Sequence, residues 1–122
     1  MLGTTIANND GVKVLTVEHL MAALWGCHID NCLIEIDNEE IPIMDGSSEP
    51  FVFLIECSGV KEQKETRTII EVLKTIEVEE EYGKASISPA DNFIVDLEID
   101  FNDNVVSRQV GSYNSQEFSF KN

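Results

Sequence analysis

Between Thr16 and Cys27 the apolar residues recur at a helical period, and this stretch constrains the fold more than any other. Projected at about 100° per residue, Val17, Leu20, Met21, Leu24 and Cys27 form one stripe, which is expected to pack on a sheet. The other side carries Glu18, His19, Ala22, Ala23 and Gly26. Small residues on that side leave room for a pocket or for close approach of another backbone. Thr16 is placed to cap the first turn, so the spacing predicts a helix from Val17 to near Gly26.

Glu18 and His19 then fall in the first turn, where the partial positive charge of a helix N-terminus favours an ionised carboxylate. Unprotonated imidazole is a common metal ligand, and a carboxylate beside one is suited to take the proton from a metal-bound water. Glu18 is therefore a candidate general base and His19 a candidate metal ligand. A Glu-His dipeptide is also common on ordinary helix surfaces, and the spacing by itself leaves both readings open. His28 lies nine residues after His19, past the expected helix end and on roughly the opposite side by phase, which separates it from any metal at His19.

Before the helix, Met1–Ile6 and Val12–Leu15 read as strands joined by the turn residues Asn8-Asn9-Asp10-Gly11. After it, Asn31–Asp37 alternates as a strand with one buried face. Pro42 makes Ile41–Met44 an edge or irregular segment, because proline lacks the amide of a central strand. Asp45-Gly46-Ser47-Ser48 is a turn and helix start, with Pro50 in the first turn of a helix that Ser58-Gly59 ends. The polar run 61–67 reads as a linker. Beyond it, Thr68–Glu80, Lys84–Ser88, Phe93–Phe101 and Val110–Phe120 are strand-like, and Asp96, Glu98 and Asp100 form the wet face of a sheet.

A net charge of -15 with eight basic residues excludes nucleic acid and anionic membrane surfaces as partners, since both reward clustered Lys and Arg. No apolar run approaches the roughly 20 residues of a transmembrane segment, and no signal peptide opens the chain. Cys27, Cys32 and Cys57 form no Cys-x-x-Cys pair and match no standard zinc module, so buried free thiols are expected.

The ordered motifs Thr16-Val17-Glu18-His19-Leu20, Ile29-Asp30-Asn31 and Glu40-Ile41-Pro42-Ile43-Met44-Asp45-Gly46-Ser47-Ser48-Glu49-Pro50-Phe51 resemble the bacterial UDP-3-O-acyl-N-acetylglucosamine deacetylases. These are zinc amidohydrolases of lipid A synthesis. The resemblance implies an α+β fold of two-layer β/α sandwich domains. Residues 1–60 would be the C-terminal part of the first domain, 61–67 the linker, and 68–122 the early strands of the second. It implies Glu18 as the catalytic base, His19 as a Zn2+ ligand, and Leu2, Gly3 and Asp45 as substrate-side or supporting residues. It further implies UDP-3-O-acyl-N-acetylglucosamine as substrate and a cytoplasmic location.

The family completes its metal site with a His-x-x-x-Asp pair from the second domain, and this span carries none. By that resemblance the chain is a half-site, inactive alone, and needs the remaining C-terminal part of the enzyme. Cations for a diphosphate would also lie outside it. A non-catalytic acidic interaction module is the alternative class, and it would fold without any dependence on metal.

Overall fold

The computed structural model describes residues 3–101, 104–117 and 120. The chain divides into two compact units, Met1–Arg67 and Thr68–Phe120. Small antiparallel sheets and two helices make it α+β.

In the first unit, β1 (Thr5–Ala7) and β2 (Lys13–Leu15) pair antiparallel, with Ile6 opposite Val14. The turn between them has the expected chemistry. The Asn8 side-chain oxygen accepts from the amides of Asp10 and Val12, both at 3.0 Å, while Gly11 takes φ 83°, a conformation that glycine adopts without a Cβ clash. β2 then feeds α1 (Glu18–Gly26). A parallel bridge joins Leu15 to Glu40, through Leu15 N–H to Glu39 O (2.8 Å) and Ile41 N–H to Leu15 O (3.0 Å).

The start of α1 departs from the expectation. Val17, not Thr16, is the N-cap residue, and no side chain caps the helix. Thr16 instead has φ 58°, and its hydroxyl donates to Glu40 Oε1 at 2.6 Å, so its oxygen is committed away from the first turn. The helix ends at Gly26 as expected, by a left-handed residue two positions on. His28 has φ 58°, with His28 N–H bonding Trp25 O (3.0 Å) and Ile29 N–H bonding Leu24 O (2.9 Å). This pair of bonds is the Schellman arrangement that satisfies the last carbonyls of a helix.

α2 (Glu49–Ser58) has Pro50 in its first turn and Gly59 at φ 77° after its last residue. It contacts α1. The residues of α1 that are buried are Ala23, which has no exposed surface, and Gly26. Of the two uses the small face allows, close packing is what Ala23 and Gly26 show. Met21, on the stripe expected to be core, is 48% exposed. Among the described residues, Val17, Ala23, Cys27, Ile41 and Val52 are the buried apolar ones.

Asn31–Asp37 is not a strand. Every residue in it is exposed and none has a ladder partner among the described residues, and alternation without a neighbouring strand leaves the backbone without the inter-strand hydrogen bonds that make a strand. Cys27 is buried as expected, but Cys32 and Cys57 are exposed free thiols, because the first lies in this unpaired stretch and the second near the end of α2. Segment 61–67 is held at two points. Asn31 Nδ2 donates to Gln63 Oε1 at 2.7 Å, and Arg67 makes a two-pronged pair with Asp30 at 2.8 Å.

In the second unit, β3 (Ile76–Glu80) pairs with β4 (Gly83–Ile87) and β5 (Ile94–Asp100) with β6 (Arg108–Asn114). The strand expected from Thr68 begins at Ile76, and the one expected from Val110 to Phe120 ends at Asn114. Phe118 and Ser119 lie outside the described residues. The register sets Ile76 opposite Ile87 and Val78 opposite Ala85 on one face of the first hairpin. On the wet face of the second, Ser112 Oγ donates to Asp96 (2.8 Å) and Arg108 Nε to Glu98 (2.6 Å). The apolar faces are uncovered: Ile76, Val78, Ile87 and Leu97 are all at least half exposed. Two-stranded ribbons of this kind are marginal by themselves in water.

Candidate active site

Glu18 and His19 are the first two residues of α1, and both are half-buried. Their position follows from the way two segments hold the chain at residues 15–18. The Thr4 peptide takes both sides of the helix start: its carbonyl accepts from Val17 N–H at 3.4 Å, and its amide donates to Glu18 Oε2 at 3.1 Å. Segment 39–41 holds Leu15 through the two backbone bonds above, and Glu40 holds the Thr16 hydroxyl.

The Glu18 carboxyl is held below the usual carboxylate range. Its own backbone N–H is the largest cause and the Thr4 amide the next; partial desolvation opposes them, and the charge of His19 adds a smaller lowering. Hydrogen bonds to the ionised form favour that form. A carboxylate ionised at neutral pH and beside an imidazole has the protonation state a general base needs.

Gly3 lies against this group: a Cβ there would stand 3.4 Å from Glu18 Oε1 and 3.8 Å from Thr16 Oγ1. Its missing side chain lets the strand backbone run close to the carboxylate. Leu2, the other substrate-side candidate from the sequence, lies outside the described residues.

Asp45 sits in a turn whose neighbours Met44 (φ 54°) and Gly46 (φ 85°) are both left-handed. Its Oδ1 accepts from Ser47 N–H at 2.9 Å and from Ser47 Oγ at 2.8 Å, and the Ser47 hydroxyl in turn accepts from Glu49 N–H at 3.2 Å. Those two bonds from Ser47 hold the Asp45 carboxyl low, against partial desolvation, and the charge of His19 contributes last. Asp45 therefore caps its own turn, and His19 lies within electrostatic reach of both Asp45 and Glu18.

Among the described residues no three His, Cys, Asp or Glu side chains converge as a metal site. A catalytic zinc ordinarily takes about three protein ligands, so these residues do not by themselves make one. The backbone N–H of His28 closes the end of α1. An open groove of about 500 Å³ runs along Met21, Leu24, Trp25, Ile29 and Ile34, and neither Glu18 nor His19 lines it.

Thr4 and Glu40 hold the pair in ways the sequence did not point to, and Thr16 does so through Glu40 instead of as the expected cap. Thr4 acts through its backbone, which no side-chain motif signals. Glu40 is 24 positions from Thr16 and reads locally as part of an acidic turn.

The whole chain, residues 1–122, matches the protein family LpxC, UDP-3-O-acyl N-acetylglycosamine deacetylase. The chain belongs to this family. It is 48% identical over 105 residues to the UDP-3-O-acyl-N-acetylglucosamine deacetylases of Shewanella pealeana and Shewanella halifaxensis, with 86% of this chain and 34% of each relative covered. The enzyme of the same name from Shewanella denitrificans is 47% identical over the same coverage. This LpxC chain thus spans about a third of the length of the curated relatives it matches, 34%.

Proposed function

We propose that this chain contributes the proton-accepting half of the active site of a UDP-3-O-acyl-N-acetylglucosamine deacetylase acting in lipid A synthesis. The observation that carries the reading is Glu18, ionised and held by the Thr4 amide, beside His19 on the first turn of α1 in a chain of this family. Glu18 accepts the proton of the water that attacks the acetamide carbonyl and is placed to pass it on as the amine leaves, giving free amine and acetate. The zinc that the family implies would take His19 as one ligand, with others from outside this span, and would polarise the carbonyl. Gly3 keeps the strand backbone close to the carboxylate, and Asp45 supports the His19 side of the turn. Leu2 is assigned to the substrate side by resemblance.

On this reading residues 1–60 complete a first β/α sandwich domain, 61–67 link, and 68–122 begin a second. Among the described residues no helix is long and apolar enough to cross a membrane, which is compatible with the cytoplasmic location proposed. The test is bound zinc per chain, with deacetylation of UDP-3-O-acyl-N-acetylglucosamine, in the full-length protein and in His19→Ala. Loss of both zinc and turnover in the variant is expected. A protein that folds, retains no zinc in either form and releases no acetate would overturn the reading and favour a non-catalytic acidic module.

A further inference from the structure

We propose that Glu40 is a positioning residue for the Glu18-His19 turn: by accepting the Thr16 hydroxyl it locks Thr16 in the left-handed conformation from which α1 starts. The proposal rests on the reading of Glu18 and His19 given above.

Three observations converge on it. Thr16 has φ 58°, which a β-branched residue rarely adopts unless its surroundings hold it there. It is the one residue between Leu15, the last of β2, and Val17, the N-cap of α1, so its φ and ψ set the direction in which the helix leaves the hairpin. The Thr16 Oγ1 to Glu40 Oε1 distance is 2.6 Å, the short range of a hydroxyl donating to a carboxylate.

Glu40 is itself held in place. Backbone bonds from Glu39 and Ile41 to Leu15 flank it on both sides, and Ile41 is buried. Its side chain thus reaches Thr16 from an anchored backbone, and little freedom is lost in making the bond. The same helix start that Thr16 aims is the one that brings Glu18 Oε2 to the Thr4 amide. If Thr16 relaxes to a right-handed or extended conformation, the first turn rotates and the carboxylate leaves that amide. Catalytic groups tolerate displacements of this kind poorly, because a shift of about 1 Å can cost about a hundredfold in rate.

The experiment is a substitution series in the full-length protein, read by kcat, KM, melting temperature and zinc retained after dialysis against a chelator. Thr16→Val and Glu40→Ala remove the bond and are expected to lower kcat about tenfold, the size expected for one charge-assisted hydrogen bond. KM should stay within about twofold, and zinc retention should fall. Thr16→Ser keeps the donor and Glu40→Gln keeps an acceptor, so both should restore rate and zinc. The double variant Thr16→Val/Glu40→Ala should be no worse than either single change, because the two share one interaction.

Glycine adopts φ near 58° without a side chain to hold, so Thr16→Gly should retain most of the rate. In that background Glu40→Ala should be silent. Normal kcat in Thr16→Val and Glu40→Ala, with Glu18→Gln inactive, would overturn the lock and leave the site reading standing. Near-normal turnover in Glu18→Gln would overturn the site reading and the lock with it. A parallel fall in melting temperature and kcat that Glu40→Gln fails to rescue would reduce Glu40 to a structural role.

Discussion

Replacing Glu18 by Gln in the full-length protein isolates proton transfer from everything else the residue does. Glu18 Oε2 accepts one hydrogen bond from the Thr4 amide at 3.1 Å, and a glutamine side-chain oxygen can accept the same bond from the same place. The two side chains have nearly the same shape, and Gly3 leaves the space beside Oε1 unchanged. What the substitution removes is basicity. A positioned general base contributes about 10²- to 10⁴-fold, so kcat for acetate release should fall by about that factor. KM should move little, because substrate binding does not need the proton acceptor.

Stability should also move little. Glu18 is solvent-accessible, and its carboxyl is lowered by hydrogen bonds that an amide largely replaces. Zinc per chain should stay near that of the parent, since His19 is untouched. The assay is acetate release under saturating substrate, with metal content and thermal melting on the same preparation. A Glu18→Gln protein that is folded, zinc-loaded and of near-normal rate would refute the base assignment. One that loses zinc along with rate would refute the separation of roles between Glu18 and His19.

Three further outcomes follow from the geometry. His28→Gly should stabilise the protein by up to about 1 kcal/mol in urea unfolding, because His28 carries φ 58° at the end of α1, where glycine has no Cβ penalty; zinc content should not change. Ala23→Leu should cost about 1–3 kcal/mol, since Ala23 has no exposed surface and α1 contacts α2, and a neutral result would mean that the two helices do not meet there. The β5–β6 hairpin should weaken in acid. Arg108 holds the Glu98 carboxyl below its ordinary value, so the stability it contributes is fully present above the ordinary carboxylate range near about pH 4.3 and is lost as pH falls through the lowered value. Hairpin amide shifts should therefore be flat from neutral pH to about 5 and change below it, and Glu98→Gln should reduce that change around Arg108.

How much was legible in the sequence depended on how local the physics was. The Asn8–Gly11 turn, the span of α1, Pro50 in the first turn of α2 and the glycine after its end were all readable, because each rests on the conformational preferences of a few adjacent residues. The Glu18-His19 pair was readable as a candidate for the same reason. Asn31–Asp37 failed because alternation describes a strand's side chains and says nothing about whether a neighbour exists to take its hydrogen bonds. The packing face of α1 was legible only in part: periodicity credits Val17, Leu20, Met21, Leu24 and Cys27 with the core, and Val17 and Cys27 are buried, but Met21 is exposed and the small residues Ala23 and Gly26 on the other side are buried as well.

Thr16 shows where local reasoning gives a wrong answer of the right kind. A threonine just before a helical run is a strong cap signal, since its hydroxyl ordinarily accepts an amide of the first turn. Here Leu15 is already bonded to segment 39–41, which brings Glu40 within 2.6 Å of that hydroxyl. A carboxylate acceptor competes well against orphan amides that Thr4 and Glu18 can satisfy by other means: Val17 N–H goes to Thr4 O, and the Glu18 carboxylate takes its own N–H. The cap is thereby exchanged for a bond across 24 positions of sequence. What the helix loses in local capping it regains as a fixed direction of departure from β2, and the base is placed by that direction more than by the helix itself.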